Sequence, residues 1–281
     1  MQTQNRQRKG RKHRWLWSQY IWHRQTVKQL ARHCRKSERW VRSQLDGARA
    51  RHFYLHPQPV VGIADVTFWG RGYGVLVFRS WDLKQNLYWT EVQTERTIDY
   101  AEGRMILEDL GYTFDAIVLD GKRGVRDVFH DIPVQICHFH QIATVKRYLT
   151  SKPKLEASKE LWLIACTLPR TDEETLLKLL NAWYARWRIF LTERSPSADG
   201  RHWQYTHRRI RSAYRSLKTN LPFLFTYQRY PELNIPNMTN SLDGSFSHLK
   251  DLLRLHRGLK CRRRWKLIQE ILAKPSSHFF H

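Results

Sequence analysis

The chain has 281 residues, 49 of them Lys or Arg and 25 Asp or Glu, for a formal charge of +24. A hydrophobic fraction of 41% supports a folded core and excludes a wholly disordered chain. The basic excess excludes ordinary small-molecule chemistry as its explanation and points to a polyanion, because Lys and Arg displace counterions from phosphates.

Residues 1–14 carry Arg6, Arg8, Lys9, Arg11, Lys12 and Arg14 with almost no apolar side chains, and read as a basic arm. Residues 15–48 read as a helix-turn-helix region. Val27, Leu30, Ala31 and Cys34 form one helical stripe; Ser37 can cap a second helix, in which Trp40, Val41 and Leu45 continue the apolar face. That second helix offers Arg39, Arg42, Ser43 and Gln44, side chains suited to phosphates and base edges. The same pattern fits a plain helical hairpin with a solvated basic face.

Gly47 and the segment from Arg49 to Pro59 read as a linker. Short strands are predicted at Val60 to Asp65, Gly72 to Ser80 and Leu87 to Val92. A helix over 98–110 should end at Gly111. The apolar run Ala116 to Leu119 suits a strand covered on both faces; a short helix near 125–130 and a strand from Val134 to Cys137 follow. This order of elements is that of an α/β, RNase H-like mixed sheet with helices. The catalytic core would occupy 58–150 and 231–272. Residues 151–230 read as an all-α insertion, with Leu176, Leu180, Trp183, Tyr184 and Trp187 on one stripe and a polar break from Ser195 to Gly200. Asn240 can cap a last core helix that buries Leu242, Phe246, Leu249 and Leu253.

No run approaches the roughly 18 apolar residues of a membrane span, and the N-terminus lacks the apolar core of a secretory signal. Nucleic acid, not lipid, is the expected partner, in the cytoplasm. Cys34, Cys137, Cys166 and Cys261 are scattered without a C-x-x-C pair, which fits a reducing compartment and indicates neither a disulfide framework nor a zinc ribbon.

Phosphodiester transfer needs an activated nucleophile, a stabilised leaving oxygen and neutralised phosphate charge, and two divalent ions held by carboxylates supply all three. Asp65 and Asp120 each follow an apolar strand, so adjacent parallel strands would present both at one sheet edge. A third acid should come from a helix. Asp243 lies in the first turn of the last core helix, and Ser247, Lys250 and Arg254 continue its polar stripe. An acid for metal with cations for phosphate fits this stripe; so does an Asp favoured by the helix dipole with a solvated face behind it.

The segments Gly62-Ile63-Ala64-Asp65, Val118-Leu119-Asp120-Gly121, Cys137-His138-Phe139-His140 and Thr239-Asn240-Ser241-Leu242-Asp243-Gly244 occur in this order. Together with Leu252-Leu253-Arg254 and His256-Arg257-Gly258-Leu259 they resemble bacterial insertion-sequence transposases of the Mutator-like DDE group, from about residue 15 to residue 270. The resemblance implies Asp65, Asp120 and Asp243 as the acidic triad, holding two Mg²⁺ or Mn²⁺ ions. It implies double-stranded DNA at transposon ends and target as partner, action as a homodimer or higher oligomer on DNA, and a nucleoid-associated location in a bacterium. Two features depart from the group: Asp243 stands where Glu is usual, and the Cys-rich zinc ribbon is missing. The alternatives are a transposase-derived DNA-binding repressor without catalysis, or an RNase H-like nuclease without strand transfer. Cys137-x-x-His140 matches a motif of the group; with no second ligand pair nearby, a structural or DNA-positioning role and an ordinary buried Cys beside a surface His both stay open.

Overall fold

The computed structural model describes residues 13–48, 56–197, 199–256 and 259–273. Most of the expected basic arm and linker, and Arg257-Gly258, lie outside the described residues. Residues 13 and 14, expected in the arm, begin a helix instead. The chain divides into two compact units, one of Met1–His56, Lys84–Asn86 and Ser241–His281, the other of Pro57–Leu83 and Leu87–Asn240. No described helix is long and apolar enough to cross a membrane.

The first unit contains helices α1 (13–21), α2 (Val27–Cys34) and α3 (Glu38–Gly47), with α10 (Asn240–Leu255) and α11 (Cys261–Leu272) from the far end of the chain. Local chemistry sets the α2–α3 joint. The Thr26 hydroxyl accepts from Gln29 N at 3.3 Å while Gln29 Oε1 accepts from Thr26 N at 2.8 Å, a reciprocal capping box. Arg35 takes the left-handed conformation at the end of α2, with φ 50°, and Ser37 Oγ then accepts from Trp40 N at 3.2 Å to start α3. Leu16, Tyr20, Ile21, Leu30, Val41 and Leu45 are buried, as are Leu267, Ile268 and Ile271 of α11. Arg263 on α11 grips Asp46 with two bonds of 2.7 Å. The expected stripe of α10, Leu242, Phe246, Leu249 and Leu253, is buried; the Asn240 side chain, an expected cap, lies outside the described residues.

The second unit is built on a five-stranded sheet of order β3-β2-β1-β4-β5. The strands are β1 (Pro59–Phe68), β2 (Gly74–Ser80), β3 (Gln85–Val92), β4 (Thr113–Leu119) and β5 (Val134–Ile136). β1 runs antiparallel to β2 and parallel to β4, and β4 runs parallel to β5. This mixed order, with helix α4 (Thr97–Asp109) joining β3 to β4, is the RNase H-like arrangement that the order of elements predicts. α4 ends as expected. Gly111 takes φ 93°, and Tyr112 N reaches Leu107 O at 3.0 Å, so the turn closes where only glycine is unstrained. α4 lies close to β2 because Gly103 has no side chain: a Cβ there would sit 2.5 Å from the Phe78 ring. Phe78 in turn meets Tyr88, Tyr100, Phe114 and Phe129 at centroid distances of 6.1 to 6.4 Å, within the usual range for aromatic pairs.

Helices α5 (His138–Leu149), α6 (Glu156–Thr167), α7 (Glu173–Thr192), α8 (Arg208–Leu224) and α9 (Thr226–Arg229) share a core with Ile136. Leu176, Leu180 and Trp183 are buried there, whereas Tyr184 of the predicted stripe is exposed. The all-α expectation for 151–230 needs one correction. The polar break holds a two-stranded hairpin, β6 (Arg194–Pro196) with β7 (Trp203–Tyr205). Its cause is local: Gly200 takes φ 69° after Asp199, the Asp-Gly pair that favours hairpin turns.

Arg104 of α4 ties that helix to the segment between β4 and β5, donating to both oxygens of Asp131 at 2.6 Å and to Val128 O at 2.6 Å. The pair holds the Asp131 carboxyl down to about 2, the hydrogen bond being the largest cause. A depressed folded pKa gives stability that is present above the ordinary value near 4 and is lost as pH falls towards 2. Asp131 is half exposed, so solvent screens the pair, and Asp131→Asn should cost only about 1 kcal/mol at pH 7. The difference in melting temperature from wild type should vanish between about pH 4 and pH 2. A deficit that persists at pH 2 would mean that shape, not charge, sets the cost.

Candidate active site

The pairing of β1 with β4 decides where the acids go. The parallel ladder ends at Ile63↔Val118, and Asp65 and Asp120 each lie two residues farther on. They therefore continue one register on neighbouring strands, at the carboxyl end of the parallel pair. Asp65 is not at the end of its strand, as the apolar run suggests. β1 continues to Phe68 because β2 still pairs with it, Asp65 facing Val77 and Phe68 facing Gly74. Asp65 thus leaves the parallel ladder while its backbone stays fixed by the antiparallel one. Asp120 is held differently. Its Oδ1 accepts from Lys122 N at 2.8 Å, and Gly121 between them takes φ 89°, so the chain turns sharply after β4.

A third carboxylate, Glu95, joins this edge from the segment before α4, and no sequence pattern singles it out. Its Oε1 accepts from the Tyr100 hydroxyl at 2.9 Å, its Oε2 is 3.6 Å from Lys122 Nζ, and Lys122 Nζ also donates to Glu95 O. Burial, and next the negative charge of Asp120, push the Glu95 carboxyl above its ordinary range. The phenol of Tyr100 is pushed up too, first by burial and then by Glu95, Asp120 and Asp65. One buried phenol thus senses all three acids.

Cys137-x-x-His140 occupies the first turn of α5. Cys137 is fully buried, and its Sγ is 3.3 Å from Thr239 Oγ1. His140, one helical turn on, brings Nε2 to 3.9 Å from Asp65 Oδ2. Burial pushes the Cys137 thiol up, but hydrogen bonds from His140 and Thr239 outweigh it and leave the thiol below its ordinary value. The motif therefore lies in the Asp65 neighbourhood. His138, between them, faces the other way and bonds Leu224 O through Nε2 at 2.6 Å.

The other predicted residues lie in the first unit. Asp243 is half-buried in the first turn of α10. Lys250 is partly buried on the same helix, and Arg254 is exposed, 3.6 Å from Asp251. On α3, Arg39 is exposed, Arg42 is paired with Glu38 at 2.6 Å, and Gln44 Oε1 meets His13 Nε2 at 2.7 Å. Three acids of the helical region can be set aside as site residues. Glu173 pairs with Arg229, Glu174 with Lys178 and Glu193 with His207, at 2.6, 2.6 and 2.9 Å.

A site that crowds carboxylates should cost stability. A raised folded pKa means that the contribution of Glu95 is complete below about pH 4 and is lost as pH rises. Asp120→Asn keeps an oxygen for Lys122 N and removes the repulsion. In chelator at pH 7 it should stabilise the protein by on the order of 0.5–1 kcal/mol, with the gain shrinking at pH 4. Thermal melting at the two pH values checks this; equal or lower stability at pH 7 would show that the Asp120 charge carries no strain.

No family model matches the chain, and no curated protein matches it. Among solved structures, the Drosophila P element transposase strand transfer complex is similar at a TM-score of 0.31 and 13% identity, over 85% of this chain and 86% of that one.

Proposed function

We propose that the chain is a DDE-type transposase that cleaves DNA at transposon ends and joins the freed 3′-OH ends to target DNA. The observation that carries this reading is the shared register of Asp65 and Asp120 beyond the last parallel pair, Ile63↔Val118. The formal charge of +24 supports a nucleic-acid substrate, and the motifs at Asp65, Asp120, Cys137-x-x-His140 and Thr239 to Gly244 support the Mutator-like group.

Hard divalent cations suit this edge. The donors are carboxylate oxygens, and the Glu95 carboxyl is raised by burial first and by the Asp120 charge next, despite the nearby Lys122. In this reading Asp65 and Asp120 hold Mg²⁺ or Mn²⁺, with Asp243 as the third acid. Such ions, when bound, polarise the attacking water or 3′-OH and stabilise the leaving oxygen. The protein's own part is placement. Two ladders and an Asx turn fix the directions of Asp65 and Asp120, so little ordering remains to be done when DNA binds. His140 orients Asp65, and Lys122 anchors the Glu95 segment against the turn after β4. The basic surface of the first unit, with Arg39, Arg42, Lys250 and Arg254, is assigned to phosphates.

Asp65→Asn and Asp120→Asn should each lower Mg²⁺-dependent cleavage and strand transfer by at least about a thousandfold while leaving DNA binding intact, because Asn keeps the shape and removes the charge. The assay uses purified protein with DNA carrying its own element's ends. Cleavage at wild-type rate by both variants would end the proposal; cleavage without joined products would leave a nuclease. Asp243 needs a separate comparison. As a ligand, it should fail as Asn and work as Glu, with unchanged melting. As a helix-start residue it should tolerate Asn, and Ala should cost about 1 kcal/mol of stability without a matching loss of rate.

A further inference from the structure

The hairpin β6–β7 and the start of α8 carry a charge pattern that the candidate active site does not use. Tyr205 on β7 lies under two guanidinium groups, Arg194 at 4.9 Å and Arg211 at 3.7 Å from its ring centre. A hydrogen bond from Arg194, then the charges of Arg194, Arg211 and Arg215, hold the Tyr205 hydroxyl below its ordinary pKa. Two arginines thus lie against one ring, and Arg215, four residues beyond Arg211 on α8, shares its helix face. Among the described residues none of the three has a carboxylate within 4.0 Å. The nearby acids are already engaged: Glu193 with His207 at 2.9 Å, and Asp199 with the Ser197 hydroxyl and Arg201 N. Like charges gathered without counter-charge cost stability, and an anionic partner repays that cost.

An aromatic completes the pattern. Trp203 is 67% exposed, and as residue i−2 to Tyr205 it sits on the same face of β7. The support beneath is firm: Thr206 N donates to Glu193 O at 3.0 Å, and the His207 ring stacks on Phe190 at 3.6 Å. Arg211 also donates to Leu191 O at 2.8 Å, so its charge meets a carbonyl and no carboxylate. A large exposed ring beside guanidinium groups without counter-charge, on a well-anchored strand, matches the needs of a nucleic-acid strand whose bases are free to stack.

We propose that this face binds single-stranded DNA, with Arg194 and Arg215 on phosphates and Trp203 stacked on an unpaired base. From the proposed function it takes only that the substrate is DNA. A strand freed at a cut end supplies such a ligand.

The test measures fluorescence anisotropy of a labelled oligo(dT) of about 20 nucleotides, long enough for one binding surface, and of a blunt duplex of equal length. Full-length protein is used in chelator, so that no cleavage intervenes. The double variant Arg194→Gln/Arg215→Gln should weaken oligo(dT) binding about tenfold and flatten the salt dependence of log K by about 1.4, or about 0.7 per lost phosphate contact. Trp203→Ala should weaken it about tenfold with no change in salt slope, and should leave duplex affinity unchanged. Trp203→Phe should retain most of the affinity, which separates stacking from a folding defect. Wild-type binding of oligo(dT) by either the double variant or Trp203→Ala overturns the proposal. So does an equal loss on duplex for Trp203→Ala, or failure of a normally melting Trp203→Phe. If the wild-type protein never cleaves yet the hairpin variants behave as stated, the transposase reading fails and this surface stands.

Discussion

The parallel pairing of β1 with β4 is the constraint on which the second unit depends. Parallel strands need a long crossover, and here β2, β3 and α4 supply it. The crossover has to pack, and it does so at Phe78, where aromatic rings from β3, α4, β4 and the turn after it converge, with Gly103 letting the helix approach. Because the side-chain period of a strand is two, a one-residue slip of β4 against β1 would turn its buried run to the opposite face. The apolar pattern that fixes the fold therefore also fixes Asp65 against Asp120. Their coincidence is a consequence of core packing and needs no separate device.

Fixing acids in place has an electrostatic cost that surrounding groups only partly offset. Glu95 is held near Asp120, and burial first and the Asp120 charge next raise its pKa. Lys122 answers part of it, bonding the Glu95 carbonyl with its ammonium while its backbone N–H holds Asp120. On the other side of Asp65, His140 brings its Nε2 to 3.9 Å, and the Cys137 Sγ lies 3.3 Å from Thr239 Oγ1 beside it. Such a site is less stable than an apolar core of the same size, and it is suited to gaining from a bound cation.

Much of this was legible in the sequence because the fold's signals are local. The order of elements along the chain followed from apolar runs and turn residues. The end of α4 followed from Gly111, and Asp65 and Asp120 followed from the runs they adjoin. What stayed hidden depends on contacts distant in sequence. β1 reaches Phe68 only because β2 extends alongside it. Glu95 resembles any loop glutamate until Tyr100 and Lys122 fold around it. The pairing of His140 with Asp65 spans 75 positions, and no period or spacing reveals it. The hairpin β6–β7 is a different case, for Asp199-Gly200 was a readable turn signal, but strands of three residues are too short for alternation to register.

The partners of the acids separate their roles more sharply than their positions do. Glu173, Glu174 and Glu193 sit in helices and turns, and each is matched with a basic side chain within 2.9 Å. Asp131 is matched twice over by Arg104. Glu173, Glu193 and Asp131 tie one segment to another and Glu174 pairs within a single helix, so their charges are already answered. The acids at the sheet edge are held by softer means: a backbone N–H for Asp120, a phenol and a lysine for Glu95, an imidazole at 3.9 Å and its neighbour's N–H for Asp65. Among the described residues neither Asp120 nor Glu95 has an arginine within 4.0 Å, and in a chain with nearly two basic residues for each acid that is not a matter of supply. An arginine there would neutralise the edge permanently and fill the space. A backbone N–H, as at Asp120, fixes direction while leaving carboxylate lone pairs for a further ligand.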